Sequence, residues 1–140
     1  MRLTDEDITT EGIKVVDIVM RKLISVAENL GWKVELGEQE DGNGCIKKFA
    51  ELEKYSPAGE DFFLTVFYED ASDFVHKVWE QYEAFDVDEH VEMWILARKR
   101  VEGVPKASVL VKDAEEIEKM IEELYDALNK KYQFMKTIME

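Results

Sequence analysis

The sequence predicts an α+β domain: a small antiparallel sheet of about three strands packed by amphipathic helices, in the order α-β-β-β-α-α-α. Three observations carry this expectation. Apolar residues step by three and four near both ends of the chain, the period of a half-buried helix. Between residues 32 and 68 the period shortens towards two, that of a strand. The segments there are separated by Asp41-Gly42-Asn43-Gly44 and Ser56-Pro57-Ala58-Gly59, which reverse the chain.

The first helix is expected over residues 4–30. Thr4 and Asp7 have the spacing of a capping box, Ile13, Val16, Met20, Leu23, Ala27 and Leu30 form one stripe, and Gly31 is a left-handed stop. Trp32, Val34 and Leu36 alternate with Lys33 and Glu35 as a first strand. A second strand is expected over 45–55. Its alternation is imperfect, because Lys48 and Lys54 share a face with Ile46, Ala50 and Leu52, and a helix is the alternative. Residues 62–68, Phe-Phe-Leu-Thr-Val-Phe-Tyr, are β-prone on both faces and read as the central strand.

Asp70 and Asp73 open a helix with Phe74, Val78, Tyr82 and Phe85 facing inward and Asp73, Lys77, Glu80 and Glu83 outward. Asp86 opens another, with Val91, Trp94 and Ile95 apolar and Arg98-Lys99-Arg100 suiting its negative end. Residues 102–105 read as a loop and 107–111 as one helical turn. Asp113 is expected to cap the last helix, whose stripe is Ala114, Ile117, Ile121, Leu124 and Leu128.

Length and composition bound the function. The 140 residues, 46% hydrophobic, fit a single domain over 1–140. Lys and Arg total 18 against 32 Asp and Glu, a formal net charge of −14, so the generic attraction to phosphate is absent. Direct nucleic-acid binding and anionic membranes are therefore excluded as expectations. The basic runs Arg98-Lys99-Arg100 and Lys130-Lys131 are too short to reverse this. Cys45 is alone, which forbids an intramolecular disulfide and favours a reducing compartment. With neither a signal-peptide pattern nor a spanning apolar run, a cytoplasmic location is expected.

The segments 55–62 and 85–95, Gly103-Val104-Pro105 and 113–117 together resemble a group of small acidic accessory proteins of phages, plasmids and conjugative elements of gut bacteria. The resemblance spans roughly residues 48–128. It implies interference with host defence or accessory work in element transfer, and carries over no catalytic residue.

Candidate chemistry is sparse. Asp86 and His90 lie four apart with Asp88, Glu89 and Glu92 nearby, donors of a kind that hold a divalent ion; Asp86-x-x-Glu89 is equally a helix cap, the preferred reading. Asp73-x-x-His76 with Glu80 and Glu83 is half of a di-metal pattern, and His76 is better explained as a partner of Glu80 at i+4. No phosphate loop, dinucleotide fingerprint or zinc-protease motif occurs, so neither cofactor nor catalysis is expected. The loop at 55–61 reads either as a binding loop or as a plain turn.

The sharpest candidate is the last helix, where Asp113, Glu115, Glu116, Glu118, Glu122, Glu123 and Asp126 are opposed only by Lys119. That is roughly one acid per 3 Å of axis, against about 3.4 Å per phosphate along one DNA strand. Glu115, Glu116, Glu118, Glu122, Glu123 and Asp126, with Glu80, Glu83, Asp86 and Asp88, are accordingly the expected contact residues for a basic protein surface. The competing reading is a solvated, Glu-rich helix. An adaptor role is the alternative function, with Tyr132, Phe134, Met135, Ile138 and Met139 docking on the domain or on a second chain as a homo-oligomer, and a metal-dependent enzyme through His76 or His90 is the third and least favoured.

Overall fold

In the computed structural model, which describes residues 11–98 and 106–139, the elements are α1 (Glu11–Asn29), β1 (Lys33–Glu40), β2 (Ile46–Tyr55), β3 (Asp61–Tyr68), α2 (Ala71–Ala84), α3 (Val87–Arg98) and α4 (Ala107–Met139). The order is the expected one. The Thr4–Asp7 box and the 102–105 loop lie outside the described residues.

The sheet is an antiparallel meander, β1-β2-β3, so β2 is central and β3 is an edge. This corrects the reading of β3 as the central strand. Two tight hairpins force the middle segment into the middle of the sheet, whatever the apolarity of the third. The strand alternates strictly: Phe62, Leu64, Val66 and Tyr68 are buried, whereas Phe63 is 46% and Phe67 39% exposed. Its second apolar row therefore lines an uncovered face rather than a second core.

The two lysines that blurred β2 have specific tasks. Lys54 donates through Nζ to the carbonyl of Leu30 at 2.6 Å, satisfying one of the last acceptors of α1, and lies over the buried ring of Trp32. Lys48 lies over the ring of Tyr68. Both put an apolar stem against the helical layer and keep the ammonium at its margin. Gly31, at φ +96°, makes the stop expected of it and lets Trp32 turn back under α1.

The helices cover one face of the sheet. The main core joins Val19, Met20, Leu23 and Ala27 of α1, the inner row of β2 and β3, Phe74 and Val78 of α2, and Ile117, Ile121, Leu124 and Leu128 of α4. A second, smaller core is formed by Val91 and Trp94 of α3 with Leu110 and Ala114 of α4. That cluster explains why α4 runs unbroken for 33 residues, correcting the expected isolated turn at 107–111 and cap at Asp113. Nothing in Ala107-Ser108-Val109-Leu110-Val111-Lys112 breaks a helix, and α3 needs Leu110 to cover it.

Asp113 therefore lies within α4, only 3% exposed, where Oδ1 accepts the backbone N–H of Ala58 at 2.8 Å. The other caps are as expected. Asp70 Oδ1 accepts from Asp73 N–H, Asp86 Oδ1 accepts from Glu89 N–H, and Asp73 reaches back to the N–H of Glu69. Among the described residues, no helix is long and apolar enough to cross a membrane.

Candidate functional site

The acids of α4 divide over two flanks. At 100° per residue, Glu118, Glu122 and Asp126 step by four along the flank that faces α2, whereas Glu116 and Glu123, seven apart, occupy the other. Glu115 is exposed and, seven residues before Glu122, lies on the same side as the first line, and Glu116 is engaged by Lys119 at 3.5 Å. Linear density thus overstated the match to a phosphate backbone. The α2-facing line carries one carboxylate per about 6 Å, close to the spacing of every second phosphate of a strand.

What makes this flank distinctive is its aromatic floor. Trp79 and Tyr82 of α2 are half-buried, and the ring of Trp79 lies 5.4 Å from Tyr82 and 5.1 Å from Tyr125 of α4. The Tyr82 hydroxyl donates to Glu122 Oε2 at 2.9 Å. This hydrogen bond, with desolvation and the negative charges of Glu122, Glu118 and Asp126, holds the phenol above its ordinary range. One carboxylate thus binds this hydroxyl and two more add negative charge around it, an electrostatic environment that favours an incoming cation.

The remaining expected contact residues do not join this line. Glu80 lies 4.0 Å from His76, the i+4 pair anticipated for that histidine, and His76 is solvent-facing. Glu83 and Asp88 are exposed, and Asp86 is committed to capping α3. Trp79 and Tyr125 were not legible as site residues. Each follows a stripe position, Val78 or Leu124, and so falls on the flank where α2 and α4 meet.

The other polar centre is built by the 56–60 turn. Ser56 N–H donates to Glu60 C=O, Ser56 Oγ accepts from Glu60 N–H, and Gly59 N–H donates to Ser56 C=O. Its own hydrogen bonds and Asp113 tie it down as a turn between strands. His90 Nε2 is 2.7 Å from Glu60 Oε2, with the imidazole against the rings of Phe62 and Phe85. The metal alternative paired His90 with Asp86; the structure instead gives Asp86 to a cap and His90 to Glu60. Among the described residues, no group of three or more His, Cys, Asp or Glu side chains is placed to hold an ion.

No family model matches the chain, and neither a curated protein nor a solved structure is significantly similar to it.

Proposed function

We propose that the chain is a non-catalytic binding protein that docks the α2–α4 flank onto a Lys/Arg-rich protein surface. The observation that carries this reading is the line Glu118, Glu122 and Asp126 beside Trp79, Tyr82 and Tyr125. Carboxylates beside half-buried aromatic rings take up guanidinium and ammonium groups through charge-assisted hydrogen bonds and cation–π contact together. Arginine gains most from that combination. The 6 Å step also suits basic residues at i and i+4 of a partner helix.

The net charge of −14 steers such an encounter over a longer range and makes it sensitive to salt. The resemblance to accessory proteins of mobile elements favours a nucleic-acid-binding host protein, such as a defence nuclease, as the partner. Its cationic channel is where a carboxylate line of this spacing competes with a strand.

The test is capture from bacterial lysate at low and at high salt, comparing two double charge reversals. Glu118→Lys with Glu122→Lys removes the α2-facing line; Glu116→Lys with Glu123→Lys changes the net charge equally on the opposite flank. Selective loss of basic partners with the first pair supports the reading. Equal retention by both variants sinks it.

A second reading has one observation in its favour. Phe134 and Ile138 are 58% and 66% exposed near the end of α4, an apolar end suited to self-association or an adaptor contact. A monomer by light scattering at every concentration, unaltered by Phe134→Glu with Ile138→Glu, would remove the self-association form of it.

A further inference from the structure

The outer edge of β3 is unpaired among the described residues, and its hydrogen-bonding phase can be assigned. Ser56 N–H donates to Glu60 C=O at 2.8 Å, and the register continues from that pair through Lys54↔Phe62, Leu52↔Leu64 and Ala50↔Val66. Even-numbered residues of β3 therefore bond to β2. The N–H and C=O groups of Asp61, Phe63, Thr65 and Phe67 point away from the sheet.

Two recesses lie at the two ends of β3, one formed with the start of β2 and α2, the other with α2 and α3, and the outer edge of the strand runs between them as a groove. At the Tyr68 end, a recess of about 530 Å³ is lined by Lys47, Lys48 and Lys77, by Glu69 and Asp73, and by Phe67 and Tyr68. None of the three ammoniums is ion-paired among the described residues. At the Phe62 end, a recess of about 200 Å³ is lined by Phe63, Gln81, Phe85, Asp86, Glu89 and His90 among others. One end of the groove thus sets three lysines against two acids and the other holds acids with no Lys or Arg, within a chain whose net charge is −14.

We propose that this groove binds an extended peptide of a partner protein by strand addition to β3. Its backbone pairs with Phe63, Thr65 and Phe67, and its end residues enter the two recesses. Antiparallel pairing, the more stable arrangement, places the peptide's N-terminal end at Tyr68. The recognised segment is then about seven residues, an odd count that puts its first and last side chains on the same face, with Asp or Glu first, alternating β-branched residues between, and Lys or Arg last. A second copy of β3 fits poorly, because antiparallel pairing would bring its Glu69 and Asp70 against Asp86 and Glu89.

The probe is a fluorescent peptide Glu-Val-Thr-Val-Thr-Val-Arg, read by polarisation, beside the same composition with the two end residues exchanged. The exchange is expected to weaken binding about tenfold or more, as one well-formed charge contact at each end requires. Lys77→Glu should remove that preference, because the Tyr68 end then no longer favours an acid while the other end is unchanged. Thr65→Pro removes one outward N–H, a change edge strands tolerate, and should abolish binding with the circular dichroism unchanged. If Thr65→Pro fails to fold, Lys77→Glu decides alone.

Hydrogen exchange supplies the independent readout: the Phe63, Thr65 and Phe67 amides exchange fast in the free protein and become protected by the peptide. Slow exchange in the free protein, dimerisation that provides the same protection, or indifference to the exchange of end residues would each overturn the proposal.

Discussion

Removing the carboxylate of Asp113 tests the packing of α4 more sharply than any core truncation. Asp113→Ala deletes the acceptor of a 2.8 Å bond from Ala58 N–H at a site 3% exposed. A hydrogen bond to a charged acceptor contributes about 1.5–3 kcal/mol. Two effects oppose its loss. Alanine is the better helix former by about 0.5 kcal/mol, and Asp113 Oδ2 is buried with no hydrogen-bond partner among the described residues, so removing the carboxylate relieves a desolvation cost. The balance is a loss of about 1–2 kcal/mol, or about 3–8 °C in Tm for a chain of this size. Asp113→Asn keeps the acceptor without the charge and should fall between the two. Urea denaturation gives the free energy, and amide exchange at Ala58 and Gly59 should accelerate in the alanine variant. An alanine variant as stable as the parent, with the turn still protected, would refute the reasoning: burying the carboxylate would then cost as much as its bond returns.

Leu124→Ala, fully buried where α4 meets the main core, should cost about 3–5 kcal/mol in urea denaturation. Tyr82, held above its ordinary value chiefly by Glu122, favours the fold while the phenol stays protonated. That contribution is complete below the ordinary pKa of 10.0 and is lost as pH rises through the raised value. Absorbance titration should show one tyrosine ionising late in the parent and earlier in Glu122→Gln. Glu53 is also raised, first by a side-chain hydrogen bond with Asp61 and then by desolvation and the charge of Asp61. The shared proton helps the fold below the ordinary carboxylate value of 4.5 and is lost above the raised one, leaving two carboxylates in repulsion. Glu53→Gln should therefore raise Tm at neutral pH, with the gain shrinking as pH falls through the raised pKa.

Local chemistry was legible in the residues, and tertiary commitments were not. Asn43-Gly44, Gly31, and the Asp70 and Asp86 caps act over a few residues, so their places followed from spacing. Asp113 is ambiguous by nature. The same carboxylate can cap a helix or sit within one, and its acceptor role depends on Ala58, 55 residues away. Lys48 and Lys54 spoiled an alternation because a period-two rule has no term for a lysine stem laid under an aromatic ring. The edge position of β3 followed from hairpin connectivity, which outranks apolarity. In the candidate site, the acids were visible as composition. Their spread over more than one face follows from helical spacing alone, whereas the Tyr82–Glu122 bond and the Glu60–His90 pair depend on elements that meet only in the folded chain.

The two apolar cores that share α4 make the chain a pair of cooperative units on one rod. The smaller, Val91 and Trp94 with Leu110 and Ala114, has few members and can open while the larger stays closed, at a free energy below that of global unfolding. The tryptophans are distributed to report this: Trp32 lies in the main core, Trp79 on the α2–α4 flank and Trp94 in the small core. Single-tryptophan variants should show the Trp94 signal changing first on denaturation. The first turns of α4 and the turn that Asp113 holds would loosen with it, while the flank around Tyr82 kept its form.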